Sequence, residues 1–592
     1  MSSLTRLQEV PPRSLILLVG PPGSGKTTFC QQTILQNLVM DRPIIYVTTG
    51  YDSSKAKERL EEKGLSSVKP DLLKFVDSYS RTAGVSILDR TNVVYADCND
   101  LSSIDIAISK QFQDIDRDDV LLVFNSLTSP YLFNGAEIFR FMTQTLSRFA
   151  AEGNSVIACM DEGCGKSEDL VSMMSISDGV IKMEIEEGKQ FLNVIKHTKI
   201  RPIRIEAAIE PEPIRQLHFD KSMFDVSQAK QHMEAMVRGD EAWLRKEIGD
   251  YVNLFWTNLV HWSGMLWDPK RFPTMKYELN KEEESKAHKV FQFFPLRIRL
   301  LFKFMPKNLS KVKDMKKALK FYLSSHKTER SGITEYLEDI SRTDEHYIRV
   351  YENIDCWGFK NVGAAMALYL PSVIAGSLRS FEVYRGGPDR EWNAVETKCI
   401  GLGDPYCEIK VVPGEINELK TALESLDSTI LEKINTRLMG HLMGFLLDGK
   451  PLVDRPKLGS DIGFHAARHT FGFPNLAGER YQTALRMGGA KAGKEVGEHL
   501  MEAGKKETES IKLFLHLLKH CKVGKVTLGE TMRMEGNCEN AMTKLLPLEI
   551  KEPSCYFTTG FLNGFFSAVK NQHVKETKCI AMGDPYCEWE FR

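Results

Sequence analysis

A surplus of either charge is missing from this sequence. Its 78 Lys and Arg stand against 79 Asp and Glu, a formal net charge of −1 at pH 7. No overall field therefore recruits nucleic acid or an anionic membrane. Long apolar runs are missing too: no stretch of 18 apolar residues occurs, and the opening MSSLTRLQEVPPR lacks the charged-then-apolar layout of a signal peptide. A cytoplasmic protein with no membrane partner is expected, its 12 cysteines mostly reduced. Cysteines that cluster in such a compartment point to metal or redox chemistry rather than disulfides. There is no dinucleotide fingerprint, no flavin motif and no evident DNA-binding appendage, which argues against hydride transfer and against nucleic acid as a partner. Disorder is excluded by composition, with 42% hydrophobic and 27% charged residues. A chain of 592 residues is too long for one core and implies about three or four domains.

What is present is organised around Gly20-Pro21-Pro22-Gly23-Ser24-Gly25-Lys26-Thr27. The apolar run Ser14–Val19 before it reads as a buried strand, and the segment from Thr28 has helical spacing. A glycine-rich turn between strand and helix aims successive backbone N–H groups at one point, where the helix dipole also favours an anion. Gly20, Gly23, Ser24, Gly25, Lys26, Thr27 and Thr28 are thus the expected ATP-binding residues. Lys26 would reach the terminal phosphates, and Thr27 would offer its hydroxyl to Mg²⁺.

Further strands are expected at 43–49, 72–77, 120–125, 155–160, 179–183 and 191–195. Helical patterns separate the earlier ones, and the last pair reads as a hairpin. That alternation predicts a mostly parallel α/β sheet with an antiparallel edge.

The order of P-loop, Tyr46-Val47-Thr48-Thr49, Phe75–Ser80, Asn125–Ser129, Asp178–Ile181 and Val194–His197 resembles the RecA-type ATPases. Within them it is most similar to the branch of the circadian-clock ATPase KaiC and its archaeal relatives, over roughly residues 10–205. The resemblance implies a homo-oligomer, a dimer or a hexameric ring, with nucleotide between neighbouring subunits. It also implies a basic residue reaching the γ-phosphate from the adjacent subunit. Lys196 and Lys199 occupy the matching stretch, where the plainer alternative is a solvated edge strand. Two departures stand out. The family ends its fourth strand with Asp, and Asn125 is here. The family's water-activating glutamate pair is replaced by Gly50-Tyr51, leaving Asp52 as the nearest carboxylate. Such carboxylates contribute on the order of 10²–10⁴-fold, so ATP binding is expected, with turnover slow or absent.

Residues 201–213 read as a connector, 242–262 as an aromatic-rich helix, and 297–327 as a basic amphipathic stretch forming a solvated face. An internal repeat follows. Glu396–Glu408 (ETKCIGLGDPYCE) recurs 180 positions later as Glu576–Glu588 (ETKCIAMGDPYCE). Its Gly-Asp-Pro turn reverses the chain and lets the two cysteines of each copy approach. A long helix over 415–447 links the copies. Near the end, Cys555 opens an apolar helix over 556–569, in which Gly560 and Gly564 allow another backbone close. Cys555, Glu576, Cys579 and Cys587 form a soft donor set for one tetrahedral Zn²⁺; the alternative is packed free thiols.

Ser554-Cys555-Tyr556, Gly560-Phe561, Gly564-Phe565, Glu576-x-x-Cys579 and Gly583-Asp584-x-x-Cys587 resemble the 4-vinyl reductase domain family. That family also occurs in aromatic-sensing regulators of the XylR type. The resemblance implies zinc on three cysteines and a glutamate, beside a pocket for a small apolar or aromatic ligand. The first copy keeps Glu396, Cys399 and Cys407, but aligning Gly376 with Gly564 puts Ala367 in place of Cys555. Cys356 is its candidate fourth ligand, with Cys538 as the counterpart in the second copy.

The expected architecture is a RecA-like mostly parallel α/β sheet with a P-loop (1–225), followed by two α+β sensor-like domains (226–415 and 455–592) around a linker helix (416–454). The expected function is ATP-dependent regulation coupled to sensing. A DNA-handling RecA-type ATPase and a tetrapyrrole vinyl reductase are the alternatives.

Overall fold

A computed structural model describes residues 10–65, 72–85, 92–115, 119–186, 189–207, 231, 234–235, 243–289, 291, 296–471, 474–475, 477–545 and 550–592. The chain forms two compact units, Met1–Pro213 and Ile214–Arg592. Among the described residues no helix is long and apolar enough to cross a membrane.

The first unit is one sheet of nine strands: β1 (Ser14–Gly20), β2 (Ile44–Thr48), β3 (Leu73–Asp77), β4 (Val93–Tyr95), β5 (Leu121–Asn125), β6 (Ser155–Asp161), β7 (Gly179–Glu186), β8 (Lys189–Lys196) and β9 (Ile203–Ala207). Their spatial order is β4-β3-β2-β5-β6-β1-β7-β8-β9. Pairings from β4 through β7 are parallel; β7-β8-β9 is antiparallel. All seven residues of β1 are buried, because strands covered on both faces read as continuous apolar runs. Ile16, Leu18 and Tyr46 face one core, and Leu15, Leu17 and Phe124 the other. Helix α1 (Lys26–Val39) follows β1, and α2 (Ser53–Glu62) follows β2.

The connector expected from Arg201 is corrected in its first part. Ile203–Ala207 pairs with β8 and forms the sheet edge. Pro211-Glu212-Pro213 lies outside the described residues.

The second unit contains the duplication. The first copy holds β10 (Tyr251–Asn253), α3 (Leu254–Trp267), α4 (Phe272–Lys286), α5 (Val312–Thr328), β11 (Ile333–Tyr336), β12 (His346–Tyr351), α6 (Tyr369–Tyr384), β13 (Trp392–Lys398) and β14 (Cys407–Pro413). After α7 (Ser428–Asp448), the second holds β15 (Asp461–Gly463), α8 (Phe464–Phe471), α9 (Glu479–Glu502), α10 (Glu507–His520), β16 (Lys525–Leu528), β17 (Thr531–Glu535), α11 (Tyr556–Lys570), β18 (Val574–Lys578) and β19 (Cys587–Phe591). Each makes a separate four-stranded antiparallel sheet, β11-β12-β14-β13 and β16-β17-β19-β18. Identical order confirms the repeat as a structural one.

Three expectations change here. The helix over 242–262 gives way to β10 followed by α3, started by the Asn253 side chain, which accepts from Phe255 N–H. The basic stretch is two helices, Leu296–Lys303 and Val312–Thr328. The long linker helix is broken into Asn417–Glu424 and α7, because Asp427 accepts from Ile430 N–H and so starts a new helix.

The copies are tied reciprocally. β10 pairs antiparallel with β15, Val252 opposite Ile462. Arg245, ahead of β10, donates to the carbonyls of Lys522 (2.7 Å) and Gly536 (3.3 Å) in the second copy. Arg455, ahead of β15, donates to those of Arg330 (2.6 Å) and Glu352 (3.3 Å) in the first.

Within the second copy, α9 and α11 lie nearly backbone to backbone. A Cβ on Gly564 would sit 1.9 Å from the carbonyl oxygen of Ala490, and one on Gly560 2.0 Å from that of Arg486. This is the close approach that the glycine spacing announces.

Candidate functional site

β1 delivers the phosphate loop at Gly20, and α1 begins at Lys26. Gly25, just before the helix, has φ of 90°, which only glycine adopts freely. The expected phosphate residues Gly20, Gly23, Ser24, Gly25, Lys26, Thr27 and Thr28 therefore fall in one turn and the first helical residues. Lys26 is buried. Its Nζ donates to the carbonyls of Gly20 (2.7 Å) and Pro21 (2.8 Å) and pairs with Asp161 Oδ1 at 2.7 Å.

Asn125 ends β5 beside Thr27, with its Nδ2 at 3.3 Å from Thr27 Oγ1. The same Nδ2 donates to the phenol oxygens of Tyr46 (3.0 Å) and Tyr51 (3.2 Å), which are 2.6 Å from each other. Burial, with Tyr51 adjacent, raises the Tyr46 phenol well above its usual range, so it stays protonated. Asp52 is engaged elsewhere: its Oδ1 accepts from Ser54 and Lys55 N–H and caps α2. The carboxylate at the loop is instead Asp161, at the tip of the strand neighbouring β1. Lys196 ends β8 and is exposed, its Nζ donating to Ser177 carbonyl at 2.6 Å. β8 is not an edge, since β9 covers it.

In the second copy the β18–β19 hairpin carries Glu576, Cys579 and Cys587 to the start of α11, where Cys555 stands. One ligand atom from each lies within 4.8 Å of every other. Cys555 Sγ is 3.3 Å from Cys587 Sγ and 3.8 Å from Cys579 Sγ. Ligands about 2.0–2.3 Å from one tetrahedral ion would be about 3.3–3.8 Å apart, so the set fits zinc. Glu576 Oε1 is buried with no hydrogen-bond partner among the described residues, an acceptor that a cation would satisfy. Asn540 Nδ2 donates to Cys555 Sγ (3.1 Å) and Cys579 Sγ (3.3 Å), and Asn537 Nδ2 to Cys555 Sγ (3.2 Å). Thiols of Cys555 and Cys587 hold Cys579 down at about 2, while burial raises Cys555, Cys587 and Glu576. Four protein ligands close the shell, so the metal would lock the hairpin to α11 and leave no open position for hydrolysis.

The first copy brings Cys356, Glu396, Cys399 and Cys407 equally close, again within 4.8 Å. Ala367 stands at the helix start and offers only its N–H, to Glu396 Oε2 at 2.8 Å. Cys538 is not the counterpart of Cys356. It is buried outside the second cluster, lying near Arg245 and Trp256.

Comparisons with known proteins agree with the two halves. Residues 5–216 match the family model described as KaiC ATPase, and 537–592 match that of the 4-vinyl reductase domain. The front of the chain is a KaiC-like ATPase domain, and its end carries a 4-vinyl reductase domain. UPF0273 proteins of Pyrococcus horikoshii and Pyrococcus furiosus are 26% identical over 195 residues and 25% over 194; each alignment takes in 30% of this chain and 72% of the relative. One from Thermotoga maritima is 24% identical over 194 residues, covering 30% of this chain and 74% of its own. The crystal structure of a KaiC-like protein from Pyrococcus horikoshii aligns with 33% of this chain and 85% of its own, at 18% identity and a TM-score of 0.25.

In the KaiC-like domain, two contributors escaped sequence reasoning. Asp161 was legible only as an acid at the end of an apolar strand, and Tyr46 only as a strand aromatic. The phenol pair with Asn125 depends on strand register, Thr48 lying beside Asn125 in the β2–β5 pairing. In the C-terminal domain the missed residues are Asn537 and Asn540, whose amides face the thiols.

Proposed function

We propose that this protein is an ATP-binding regulatory switch that couples a slowly hydrolysing KaiC-like module to a zinc-holding sensor for a small apolar or aromatic molecule. The observation that carries the nucleotide half is the Asn125–Tyr46–Tyr51 trio beside a complete phosphate loop. Neutral phenols and an amide occupy the place where a carboxylate would activate water, so the loop is equipped to grip and poorly equipped to cleave. Lys26 must exchange Asp161 for phosphate oxygens on binding, and Thr27 with Asn125 would orient the water shell of Mg²⁺. A homo-oligomer, dimer or ring, would complete the site with a basic residue such as Lys196.

The sensor half is supported by the zinc-fitted donor set and by the aromatic surface next to it. Phe557, Phe561 and Phe565 of α11 are buried, with Phe514 stacked 3.8 Å from Phe565. Zinc would supply structural cross-linking there. Ligand occupancy would bias nucleotide affinity, and ATP would bias ligand affinity by the same factor.

Equilibrium ATP binding, single-turnover hydrolysis and native mass spectrometry with and without ATP test this together. Tight binding with slow turnover is expected. The double variant Asn125→Asp/Tyr51→Glu is expected to gain on the order of 10²-fold in turnover. Rapid hydrolysis by the unaltered protein would sink the switch reading. ATP affinity that ignores a panel of phenols and alkylbenzenes would sink the coupling.

A further inference from the structure

We infer that the first copy is a second metal centre of the same chemical class, a soft-donor site for a divalent ion such as zinc, whose fourth ligand has moved from the start of the helix to the turn that caps it. The inference rests on zinc being the metal of the second copy, but its residues are its own.

Helix capping fixes the equivalence of the two turns. Asp355 accepts from the N–H groups of Leu368 (2.9 Å) and Tyr369 (2.7 Å) at the start of α6. Glu539 accepts from those of Phe557 and Thr558, both at 2.8 Å, at the start of α11. Two residues earlier, Asn353 and Asn537 each accept from the N–H of that capping acid, at 3.2 and 3.1 Å. The residue after the cap is therefore Cys356 in one copy and Asn540 in the other.

Both side chains reach the centre of their cluster. Asn540 Nδ2 lies 3.3 Å from Cys579 Sγ. Cys356 Sγ lies 3.4 Å from Cys399 Sγ and 3.8 Å from Glu396 Oε1, while Cys399 and Cys407 sulfurs are 4.0 Å apart. These separations are close to the edges of a tetrahedron around one ion, about 3.3–3.8 Å. Where Cys356 has gained a thiol, Ala367 at the helix start has lost one. The two changes offset each other: each copy keeps three sulfurs and one carboxylate. Asn353 adds an independent sign. It holds the place of Asn537, yet its Nδ2 is buried with no partner among the described residues, a donor that a thiolate ligand would use.

The test is metal stoichiometry of the full chain by plasma mass spectrometry, with cobalt substitution read through its thiolate charge-transfer band. Two ions per chain are expected. Cys356→Ser and Cys555→Ser should each lose one, and Cys538→Ala none. Should Cys356→Ser misfold, the double variant Cys356→Asn/Ala367→Cys, which copies the ligand placement of the second copy, is expected to regain two ions. One ion per chain, lost in Cys555→Ser and kept in Cys356→Ser, would overturn this inference while leaving the second-copy site standing. No metal in the unaltered protein would remove both. A double variant that folds with a single ion would also count against the relocated ligand.

Discussion

The two sensor-like copies share one frame and differ in what they pack inside it. In the second, α9 and α11 approach through glycine, and the space beside them is filled by phenylalanines, Phe514 stacking on Phe561 and Phe565. In the first, α4 and α6 also approach through a glycine, since a Cβ on Gly376 would sit 2.3 Å from Lys281 carbonyl oxygen. Its interior, however, is polar. Lys276 is buried, Tyr277 OH bridges the backbone of Ala394, and Lys281 Nζ donates to Asn393 Oδ1 at 3.0 Å. Superposing the two glycine contacts puts Leu485, also buried, where the first copy has Lys276. Duplication thus preserved the backbone solution and the ligand count while one interior became ionic. The second copy is the one suited to an apolar guest.

Metal removal should split the copies from the rest of the chain most strongly. Structural zinc binds folded domains with an apparent free energy on the order of 10 kcal/mol. Chelation is therefore expected to melt the Ile214–Arg592 unit while the KaiC-like domain keeps its transition, which domain-resolved hydrogen exchange would read. Next comes the glycine contact. Gly564→Ala forces a methyl into the Ala490 carbonyl and should cost about 3 kcal/mol or more in denaturant unfolding. Gly440→Ala in α7, with nothing within 4 Å of the added methyl, should be neutral or stabilise by about 0.5–1 kcal/mol.

The smallest effect is the pH dependence that Lys276 imposes. Burial lowers its amine from 10.5 to about 7, with Asp355 and Glu283 opposing. Between those values the unfolded chain binds the proton and the folded one does not, so stability rises with pH across that window, by at most about 1.4 kcal/mol per pH unit. Lys276→Leu, which imports the residue of the second copy, should flatten that rise. An unchanged slope would mean that Lys276 keeps its proton in the folded state.

Much of this was legible in the sequence because local chemistry decided it. The phosphate turn needs glycines before Lys26, parallel strands read as apolar runs, and the hairpin repeat is near-identical. The rest depended on geometry that linear spacing does not carry. Cys356 was matched with Cys538 by counting along the chain, but the copies are 184 positions apart at Asn353, 188 at Gly376 and 180 at Glu396. Insertions in the intervening turns moved the register, and only the capping contacts of Asp355 and Glu539 restore it. The Tyr46–Tyr51 pair was hidden because residues five apart meet only when the chain turns at Gly50. The edge strand β9 was hidden because Pro202 sits just ahead of it, and a proline there reads as a linker.

The crossed arginines have a practical consequence for anyone dividing the chain. A fragment starting at residue 455 would still carry its own guanidinium but would have lost the one that closes it, leaving the carbonyls of Lys522 and Gly536 bare and Phe557 without Trp256, whose ring lies 5.5 Å away. Half of the clasp lies more than two hundred residues upstream. The tandem is best handled, expressed and crystallised as a single piece beginning before Arg245.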